Sequence, residues 1–354
     1  MINYTIEDVL ATAVENGASD VHITVGIPPK MRVNGRLVPM LYDRLLPPDT
    51  EQLLYSILND YQKKRFEEKG ETDFSFSMDE MGRYRINAYH QRGTCAMAIR
   101  LVSPDIPQPE NLGIPSSVVD LYQRKRGLIL VTGPTGSGKS TSLAAIIDKI
   151  NRYREAHVIT LEDPIEYLHR HDKSIVNQRE VGMDTLSYAN ALRAALREDP
   201  DVILVGEMRD LETISVAITA AETGHLVLST LHTIGAASTI DRVIDVFPPH
   251  QQQQIRVQLA NVLEAVISQQ LMPTYDGNGR VAAFEVMHVN SAVRNLIREG
   301  KSHQLTSVMQ TNRKSGMVTM DEAIAQLYYS NTINKETAVQ YAVDPEAMEQ
   351  KLFS

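Results

Sequence analysis

One stretch of eight residues limits what this chain can fold into more than any other. Residues 133–140 read Gly-Pro-Thr-Gly-Ser-Gly-Lys-Ser, which match the pattern GxxxxGK[ST]. Residues 127–132 before them form an apolar, branched run that is typical of a buried parallel strand. Residues 141–150 after them place apolar side chains at helical spacing. Strand, glycine-rich loop and helix in this order predict an α/β domain whose loop binds phosphate.

The residue types of this loop explain its chemistry. Glycines let backbone N–H groups point at phosphate oxygens, and the following helix N-terminus adds partial positive charge. We expect Lys139 to reach the β- and γ-phosphates of ATP and the Ser140 hydroxyl to bind Mg²⁺. The predicted ATP-binding residues are Gly133, Pro134, Thr135, Gly136, Ser137, Gly138, Lys139, Ser140 and Thr141. The alternative, a glycine-rich turn with an unrelated lysine, leaves the complete motif and its flanks unexplained.

Charge and cysteine content exclude several classes of protein. The formal net charge of −9 argues against bulk binding to nucleic acid or to anionic lipid. Cys95 is the single cysteine, which excludes an intrachain disulfide and a cysteine-built zinc site and fits a reducing compartment. The N-terminus lacks a signal-peptide pattern, and no apolar run reaches the ~18–20 residues of a membrane span. We therefore expect a cytoplasmic protein that does not insert into a membrane directly.

The first hundred residues predict a small α+β domain, 1–102. Asn34-Gly35 between two short apolar runs predicts a two-residue hairpin. Helices are expected at about 5–16 and 47–59, and strands at about 21–25, 72–77, 83–90 and 95–102. Prolines in 103–116 exclude regular helix and central strand there, so this segment is the predicted linker.

From residue 117 onward the pattern changes to alternating helices and branched-residue strands. The predicted strands are 128–131, 157–161, 202–205 and 226–229. Such alternation predicts a largely parallel sheet with helices on both faces. The apolar residues from Ile255 to Val266 follow a helical pattern, and 276–279 predict a hairpin turn. We expect a core domain at 117–290 and a helical region at 291–354, with helices near 291–299, 303–310, 320–329 and 335–341.

Acidic residues follow two of the predicted strands. Glu162 and Asp163 follow the strand 157–161, and Gly206-Glu207 follow the strand 202–205. The second segment resembles a Walker B motif, but glycine stands at the usual first acidic position. A carboxylate at Glu207 would orient and polarise the water that attacks the γ-phosphate. Glu207 is the predicted catalytic carboxylate, and Glu162 and Asp163 are expected to bind Mg²⁺ through water; the alternative for each acid is a solvated or capping carboxylate.

Histidines and arginines supply further candidates. His225 and His232 flank the strand 226–229, where they sense the γ-phosphate or a neighbouring subunit, or serve only as structural residues. Metal binding by them is disfavoured, since no third ligand has suitable spacing. Adjacent predicted strands of the first domain carry four arginines: Arg83, Arg85, Arg92 and Arg100. Such a cluster neutralises phosphate, in some proteins from another subunit, or is ordinary strand-surface charge.

Several of these motifs together resemble one family, the secretion ATPases of type II secretion and type IV pili. Residues 133–140, 159–167, 192–210 and 224–233 resemble its Walker A, Asp box, Walker B and His box, and 18–23 resemble its N-terminal signature. Residues 292–301 are similar to a C-terminal helix motif of the pilus-retraction branch, with Ala292, Arg294, Asn295, Leu296, Ile297 and Arg298. Extension and secretion ATPases generally carry an extra N-terminal domain and often a four-cysteine zinc element, for which this chain has neither the length nor the cysteines.

The resemblance implies an α/β fold with a RecA-like ATPase domain, a smaller PAS-like N-terminal domain and a helical C-terminal region. It implies a ring of six identical subunits with ATP and Mg²⁺ as cofactors. Carried over by motif, it makes Lys139, Glu207 and Glu162 catalytic residues and His225 and His232 coupling residues. Arg85 and Arg100 match best the arginines that contact phosphate in trans, and Arg92 matches them less well.

The expected function is therefore a motor that disassembles pili and powers twitching motility. Its expected partners are an inner-membrane platform protein, which holds the ring at the inner face of the cytoplasmic membrane, and a second retraction ATPase. Three alternatives stay open: a paralogous pilus-extension or type II secretion ATPase, a nucleic-acid translocase, and a non-hydrolysing scaffold locked by nucleotide. The acidity of the chain disfavours nucleic acid as a partner, and Lys139 together with Glu207 disfavours the scaffold.

Overall fold

The computed structural model describes residues 2–78, 81–102 and 105–353. Contacts divide the chain into two units, Met1–Asp105 with Glu166–Leu168, and Ile106–Ile165 with His169–Ser354. Residues 103 and 104, at the start of the predicted linker 103–116, lie outside the described residues, as do the chain ends 1 and 354. None of the helices in the described part of the chain combines the length and apolar character that crossing a membrane requires.

The described residues of the first unit form a six-stranded antiparallel sheet with three helices. The helices are α1 (Ile6–Glu15), α2 (Pro47–Tyr55) and α3 (Asp60–Lys69). The strands are β1 (Asp20–Ile23), β2 (Lys30–Val33), β3 (Arg36–Pro39), β4 (Glu71–Met78), β5 (Gly82–Gln91) and β6 (Thr94–Val102). Their order is β3-β2-β1-β6-β5-β4, and the core of the unit lies under this sheet with Leu10, Leu54, Phe66, Ile86 and Ile99 fully buried or nearly so.

Local signals predicted most of this unit. Thr5 caps α1 through a capping box with Asp8. Asn34 and Gly35 both have positive φ, 49° and 79°, as the predicted two-residue turn requires. The helix predicted at 47–59 is wrong beyond Tyr55, because a second helix, α3, begins after the Asn59 cap. Its sequence is mostly charged and buries Phe66 as its one large apolar side chain, which leaves too little periodicity to detect.

The described residues of the second unit form a seven-stranded sheet in the order β13-β12-β7-β11-β10-β8-β9. The strands are β7 (Gly127–Thr132), β8 (His157–Glu162), β9 (Ile175–Glu180), β10 (Val202–Val205), β11 (Leu226–Leu231), β12 (Leu263–Pro273) and β13 (Arg280–His288). Neighbouring strands are parallel except for the β12–β13 hairpin. Every residue of β7, β10 and β11 is buried, as expected of strands covered on both faces.

Helices cover this sheet and continue to the C-terminus. They are α4 (Ser116–Val119), α5 (Lys139–Tyr153), α6 (Tyr188–Ala195), α7 (Leu211–Glu222), α8 (Ala236–Asp245), α9 (Pro249–Val262), α10 (Ser291–Glu299), α11 (Leu305–Thr311), α12 (Met320–Tyr329), α13 (Lys335–Tyr341) and α14 (Pro345–Phe353). The helical pattern predicted through Val266 is wrong, because α9 ends at Val262 and β12 begins at the next residue. A strand buried on both faces reads as a continuous apolar run, so no change of period marks this junction.

Candidate functional site

The phosphate loop, residues 133–140, lies between β7 and α5 and packs closely against β12. Gly133 has φ 141°, and a Cβ there would lie 2.2 Å from the Gln269 carbonyl oxygen. Gly138 has φ 88°, and a Cβ there would lie 2.9 Å from Gln269 Nε2. Ser142 Oγ also donates a hydrogen bond to Gln269 Oε1 at 2.8 Å. Gln269 therefore supports the loop from behind, and both glycines are required because a side chain would displace it.

The loop and the start of α5 are rich in hydrogen-bond donors. Gly138 is the N-cap of α5 and contributes no side-chain bond, so the first N–H groups of this helix have no side-chain cap. Lys139 is only 8% exposed, and its Nζ donates to the carbonyl oxygens of Gly133 at 2.8 Å and Pro134 at 3.0 Å. Ser137 Oγ and Thr132 Oγ1 are buried without a hydrogen-bond partner among the described residues. Uncapped N–H groups, an ammonium group and unpaired hydroxyls fit an anion such as phosphate.

A cavity of about 480 Å³ opens beside the loop at Gly138 and Thr141. Its walls include the apolar side chains of Leu112 and Leu271, and Arg280 also lines it. This volume and this mixture of apolar and polar groups suit a small-molecule ligand. Sequence reasoning missed Leu112, Leu271 and Arg280, because they lie in the proline-rich segment and in the β12–β13 hairpin, far from any nucleotide motif.

The sheet order brings the predicted strand-end residues to the same edge as the phosphate loop. Parallel pairing runs from β7 through β11 and β10 to β8, so the carboxyl ends of these strands face one direction. Glu162 closes β8, Gly206 and Glu207 follow β10, and His232 follows β11. This edge is where ligands bind in open α/β sheets. The structure therefore places Glu162, Glu207 and His232 at the same edge of the sheet as the loop, and their predicted catalytic and coupling roles stay predictions.

Glu207 is held by two neighbours through a single oxygen. Its Oε1 lies 2.7 Å from Arg209 Nε and 2.9 Å from His232 Nε2. The hydrogen bond and the charge of Glu207 raise the pKa of the Arg209 guanidinium, which stays charged. Oε2 has no hydrogen-bond partner among the described residues, so it is free to accept a hydrogen bond from water. This geometry suits a carboxylate that orients a water molecule.

The two histidines of the predicted pair lie at opposite edges of the sheet. His225 precedes β11, where its Nδ1 lies 2.9 Å from the Ala220 carbonyl oxygen and 3.2 Å from Thr223 Oγ1 at the end of α7. The six residues of β11 lie between it and His232, so the two histidines are seven residue steps apart, a distance of roughly 23 Å. His232 thus belongs to the candidate site, while His225 contacts the C-terminus of a helix, and its predicted coupling role stays a prediction.

The donor set at this edge suits magnesium bound mostly by phosphate and water. Ser140 offers a hydroxyl in the first turn of α5, and Glu162 offers a carboxylate at the end of β8. Glu162 Oε1 accepts hydrogen bonds from Thr160 Oγ1 at 2.5 Å and Gln178 Nε2 at 3.1 Å, which orient its carboxylate. The described residues contain no group of three or more His, Cys, Asp or Glu side chains that could hold a metal ion. Oxygen donors without a protein cage are typical of Mg²⁺ sites on nucleotides.

In the first unit, Arg85 and Arg100 lie directly opposite each other on β5 and β6. Both line a cavity of about 210 Å³ together with Asp20 and Asp73. Arg100 Nε donates to Asp20 Oδ1 at 3.1 Å; burial opposes the charge on Asp20, but hydrogen bonds from Ser19 and Arg100 outweigh it and lower the Asp20 pKa. Arg92 has φ 52° in the turn between the two strands, roughly 23 Å along β5 from Arg85. Arg92 therefore does not share the surface that Arg85 and Arg100 form.

The predicted C-terminal motif lies on α10, and its arginines contact the end of α9. Arg294 Nη1 donates to the carbonyl oxygens of Ala260 and Asn261, and its Nη2 lies 3.3 Å from Glu264 Oε1. Arg298 Nη2 donates to Asn261 Oδ1 at 2.8 Å. Among the other motif residues, Ile297 is buried in the core, Leu296 is half-buried, and Ala292 and Asn295 are exposed. Arg294 thus satisfies two carbonyl groups at the end of α9, where positive charge is favourable, and Arg298 adds a bond to a side chain there.

Comparison with known proteins places this chain in a family. Residues 1–277 match the family model described as type II/IV secretion system protein. The chain is 48% identical over 341 residues to the type IV pilus retractation ATPase PilT of Pseudomonas aeruginosa, across 96% of this chain and 99% of that relative. It is 46% identical over 347 residues to a twitching motility protein of Neisseria gonorrhoeae, across 98% of this chain and 93% of that relative.

A solved structure supports the same family assignment. The crystal structure of the pilus retraction motor PilT with bound ADP matches with a TM-score of 0.92 and 50% identity, covering 98% of this chain and 100% of that chain. The predicted α/β fold class with a RecA-like core is confirmed by this match and by the family model. The chain belongs to the type II/IV secretion system protein family.

Proposed function

We propose that this chain is an ATP-hydrolysing motor that drives type IV pilus retraction and so twitching motility. The observation that carries the proposal is the arrangement of the phosphate loop and Glu207 on one edge of the sheet. Relatives named for pilus retraction and twitching motility align over nearly the whole chain, which links this site to that machinery.

ATP would bind with its phosphates on the loop and its nucleoside beside it. The N–H groups at the start of α5 and the Lys139 ammonium group donate hydrogen bonds to phosphate oxygens. The cavity at Gly138 and Thr141 then receives the nucleoside between Leu112 and Leu271. The ADP bound to the solved pilus retraction motor supports a nucleotide as the ligand.

Hydrolysis transfers the γ-phosphoryl group to water and yields ADP and phosphate. Glu207 Oε2 accepts a hydrogen bond from the attacking water and so orients a lone pair of the water oxygen towards the γ-phosphorus. His232 and Arg209 hold the other oxygen, so the carboxylate does not rotate away. Ser140 and, through water, Glu162 and Asp163 would hold Mg²⁺, which when bound neutralises charge on the β- and γ-phosphates.

The motor would work as a ring of six identical subunits in the cytoplasm. We place it at the inner face of the cytoplasmic membrane, where a pilus platform protein receives its motion and a second retraction ATPase is a further partner. Arg85 and Arg100 are the candidates for phosphate contact in trans, because they lie directly opposite each other on neighbouring strands of the first unit.

Pilus state in a strain lacking this chain tests the proposal. Retraction predicts many pili that extend and never shorten, with loss of twitching. A strain without pili would contradict retraction and indicate a pilus-extension ATPase. A purified protein without ATP turnover would contradict the motor and indicate a nucleotide-locked scaffold. Turnover that depends on single-stranded DNA and falls with salt would contradict it in favour of a translocase.

A further inference from the structure

The structure explains why glycine stands at position 206, where a Walker B motif usually has its first acid. Gly206 is not among the residues with positive φ, so its backbone conformation does not require glycine. The lack of space does require glycine, because a Cβ at this position would lie 2.9 Å from Tyr188 Oη and 3.1 Å from the Leu161 carbonyl oxygen. The hydroxyl of Tyr188 therefore occupies the volume into which a side chain at position 206 would extend.

Local structure fixes Tyr188 in this place. It is the first residue of α6, whose N-cap Ser187 accepts a hydrogen bond from the Asn190 N–H at 3.2 Å. The ring packs against the core cluster that contains Leu161 and Val205, next to the ends of β8 and β10. The Tyr188 hydroxyl makes no hydrogen bond with another described residue. A group that is anchored through its ring and has an unused donor is suited to bind a ligand or water.

The charges around this hydroxyl keep it protonated. Burial is the largest cause that raises the pKa of Tyr188, and the negative charges of Asp163, Glu207 and Glu162 raise it further, against a smaller opposite effect of Arg209. The phenol is thus neutral at physiological pH and acts as a donor. An aspartate at position 206 would instead add a fourth carboxylate beside Glu162, Asp163 and Glu207, where like charges repel.

We propose that Tyr188 is a positioning residue of the hydrolysis site, whose hydroxyl fills the space beside Gly206 and donates a hydrogen bond to the water that Glu207 orients. The inference rests on the proposed ATPase function and goes beyond it, since it places a neutral donor from another element in the space where a Walker B motif usually has its first acid. A purely structural tyrosine would contribute its ring and leave the hydroxyl unused.

Steady-state kinetics of Tyr188→Phe separate the two roles, because the substitution removes the hydroxyl and keeps the ring. The expected result is a kcat for ATP hydrolysis about tenfold lower, the size of one hydrogen bond, with KM and the affinity for a fluorescent ADP analogue unchanged. Tyr153→Phe, which removes an exposed hydroxyl on α5, is the matched control and keeps wild-type kcat. A wild-type kcat in Tyr188→Phe would overturn the inference.

Thermal unfolding supplies a readout that does not depend on activity. Gly206→Ala places a methyl group against Tyr188 Oη, so it should lower the melting temperature in the wild-type background. In the Tyr188→Phe background the same change should lower it less, because the nearest atom has been removed. Equal losses in both backgrounds would show that the hydroxyl does not fill this space, and would also overturn the inference.

Glu207→Gln distinguishes failure of this inference from failure of the proposed function. If the wild type hydrolyses ATP and Glu207→Gln does not, a fully active Tyr188→Phe overturns only the assignment of Tyr188. If the purified wild type hydrolyses no ATP under any condition, the proposed function fails and the inference fails with it.

Discussion

His232 Nε2 lies 2.9 Å from Glu207 Oε1 and joins the carboxyl ends of β11 and β10. The other partner of Glu207, Arg209, has a side chain that is 74% exposed, so solvent screens that ion pair. His232, whose side chain is 46% exposed, is thus the less exposed of the two contacts that orient the carboxylate.

We predict that His232→Ala lowers kcat for ATP hydrolysis by about tenfold with little change in KM. The lost hydrogen bond lets Glu207 rotate, which weakens its hold on the attacking water but not on the nucleotide. Phosphate release at saturating ATP checks this. His225→Ala is the comparison, since it should lower the melting temperature through loss of its bond to the Ala220 carbonyl oxygen and leave kcat within about twofold. Equal kinetic defects in both variants would contradict this division.

We predict that nucleotide binding can be followed by a tryptophan placed at the cavity beside the phosphate loop. The chain contains no tryptophan, so Arg280→Trp introduces a single reporter at the cavity wall. Its emission should change with ADP along a saturable curve, because the bound nucleoside alters the polarity around the ring. Tyr275→Trp, on the same hairpin with its side chain exposed, should not respond. If the emission of Tyr275→Trp changed with ADP and that of Arg280→Trp did not, the nucleoside would bind outside the cavity beside the phosphate loop.

We predict that Arg294→Ala destabilises the fold by about 1–2 kcal/mol. The substitution removes hydrogen bonds to two helix-terminal carbonyl groups of α9 and an ion pair with Glu264, in a side chain that is mostly shielded from water. Urea unfolding at fixed protein concentration measures the change. Asn295→Ala on the same helix removes only an exposed bond to Glu299 and should stay within about 0.5 kcal/mol of wild type. If both variants unfolded alike, the arginine contacts would be unimportant for stability.

We predict that His288 makes the protein less stable in mild acid. Burial is the larger cause that lowers its pKa, and the charge of Arg124 lowers it further. The unfolded chain protonates this histidine near pH 6.5 while the folded chain does not, so the contribution of His288 to the free energy of unfolding is constant well above that pH. It then falls as the pH drops from about 6.5 towards the lower folded-state pKa.

Unfolding of His288→Leu between pH 7 and pH 5 checks the effect. The variant should lose part of the pH slope that the wild type shows over this interval. His250→Gln, a substitution of an exposed histidine, is the control and should keep the wild-type slope. A wild-type slope in His288→Leu would show that other groups cause the acid sensitivity.

Local signals made much of this fold and site predictable. The phosphate loop, the Asn34-Gly35 turn and the short buried strands each depend on a few adjacent residues. The bond between His232 and Glu207 depends instead on strand order, because β10 and β11 become neighbours only in the folded sheet. The contact of Tyr188 with position 206 likewise joins a helix start to a strand end, and no pattern along the chain records it.

We predict that Glu207→Gln reduces ATP turnover by at least about 100-fold while nucleotide binding is kept, because the amide no longer orients water as a carboxylate does. Phosphate release measures turnover, and a fluorescent ADP analogue measures binding. Glu212→Gln is the matched control, since the exposed Glu212 pairs with Arg193 on the surface of α7 and has no contact with Glu207 or His232 among the described residues. A variant that lost both binding and turnover would indicate a folding defect instead.

The most direct test is fluorescence microscopy of labelled pili in cells whose only copy of this chain carries Glu207→Gln. The account predicts normal amounts of the variant protein and pili that extend but do not retract, with retraction intact in cells carrying Glu212→Gln. Retraction at wild-type speed in the Glu207→Gln cells would contradict it.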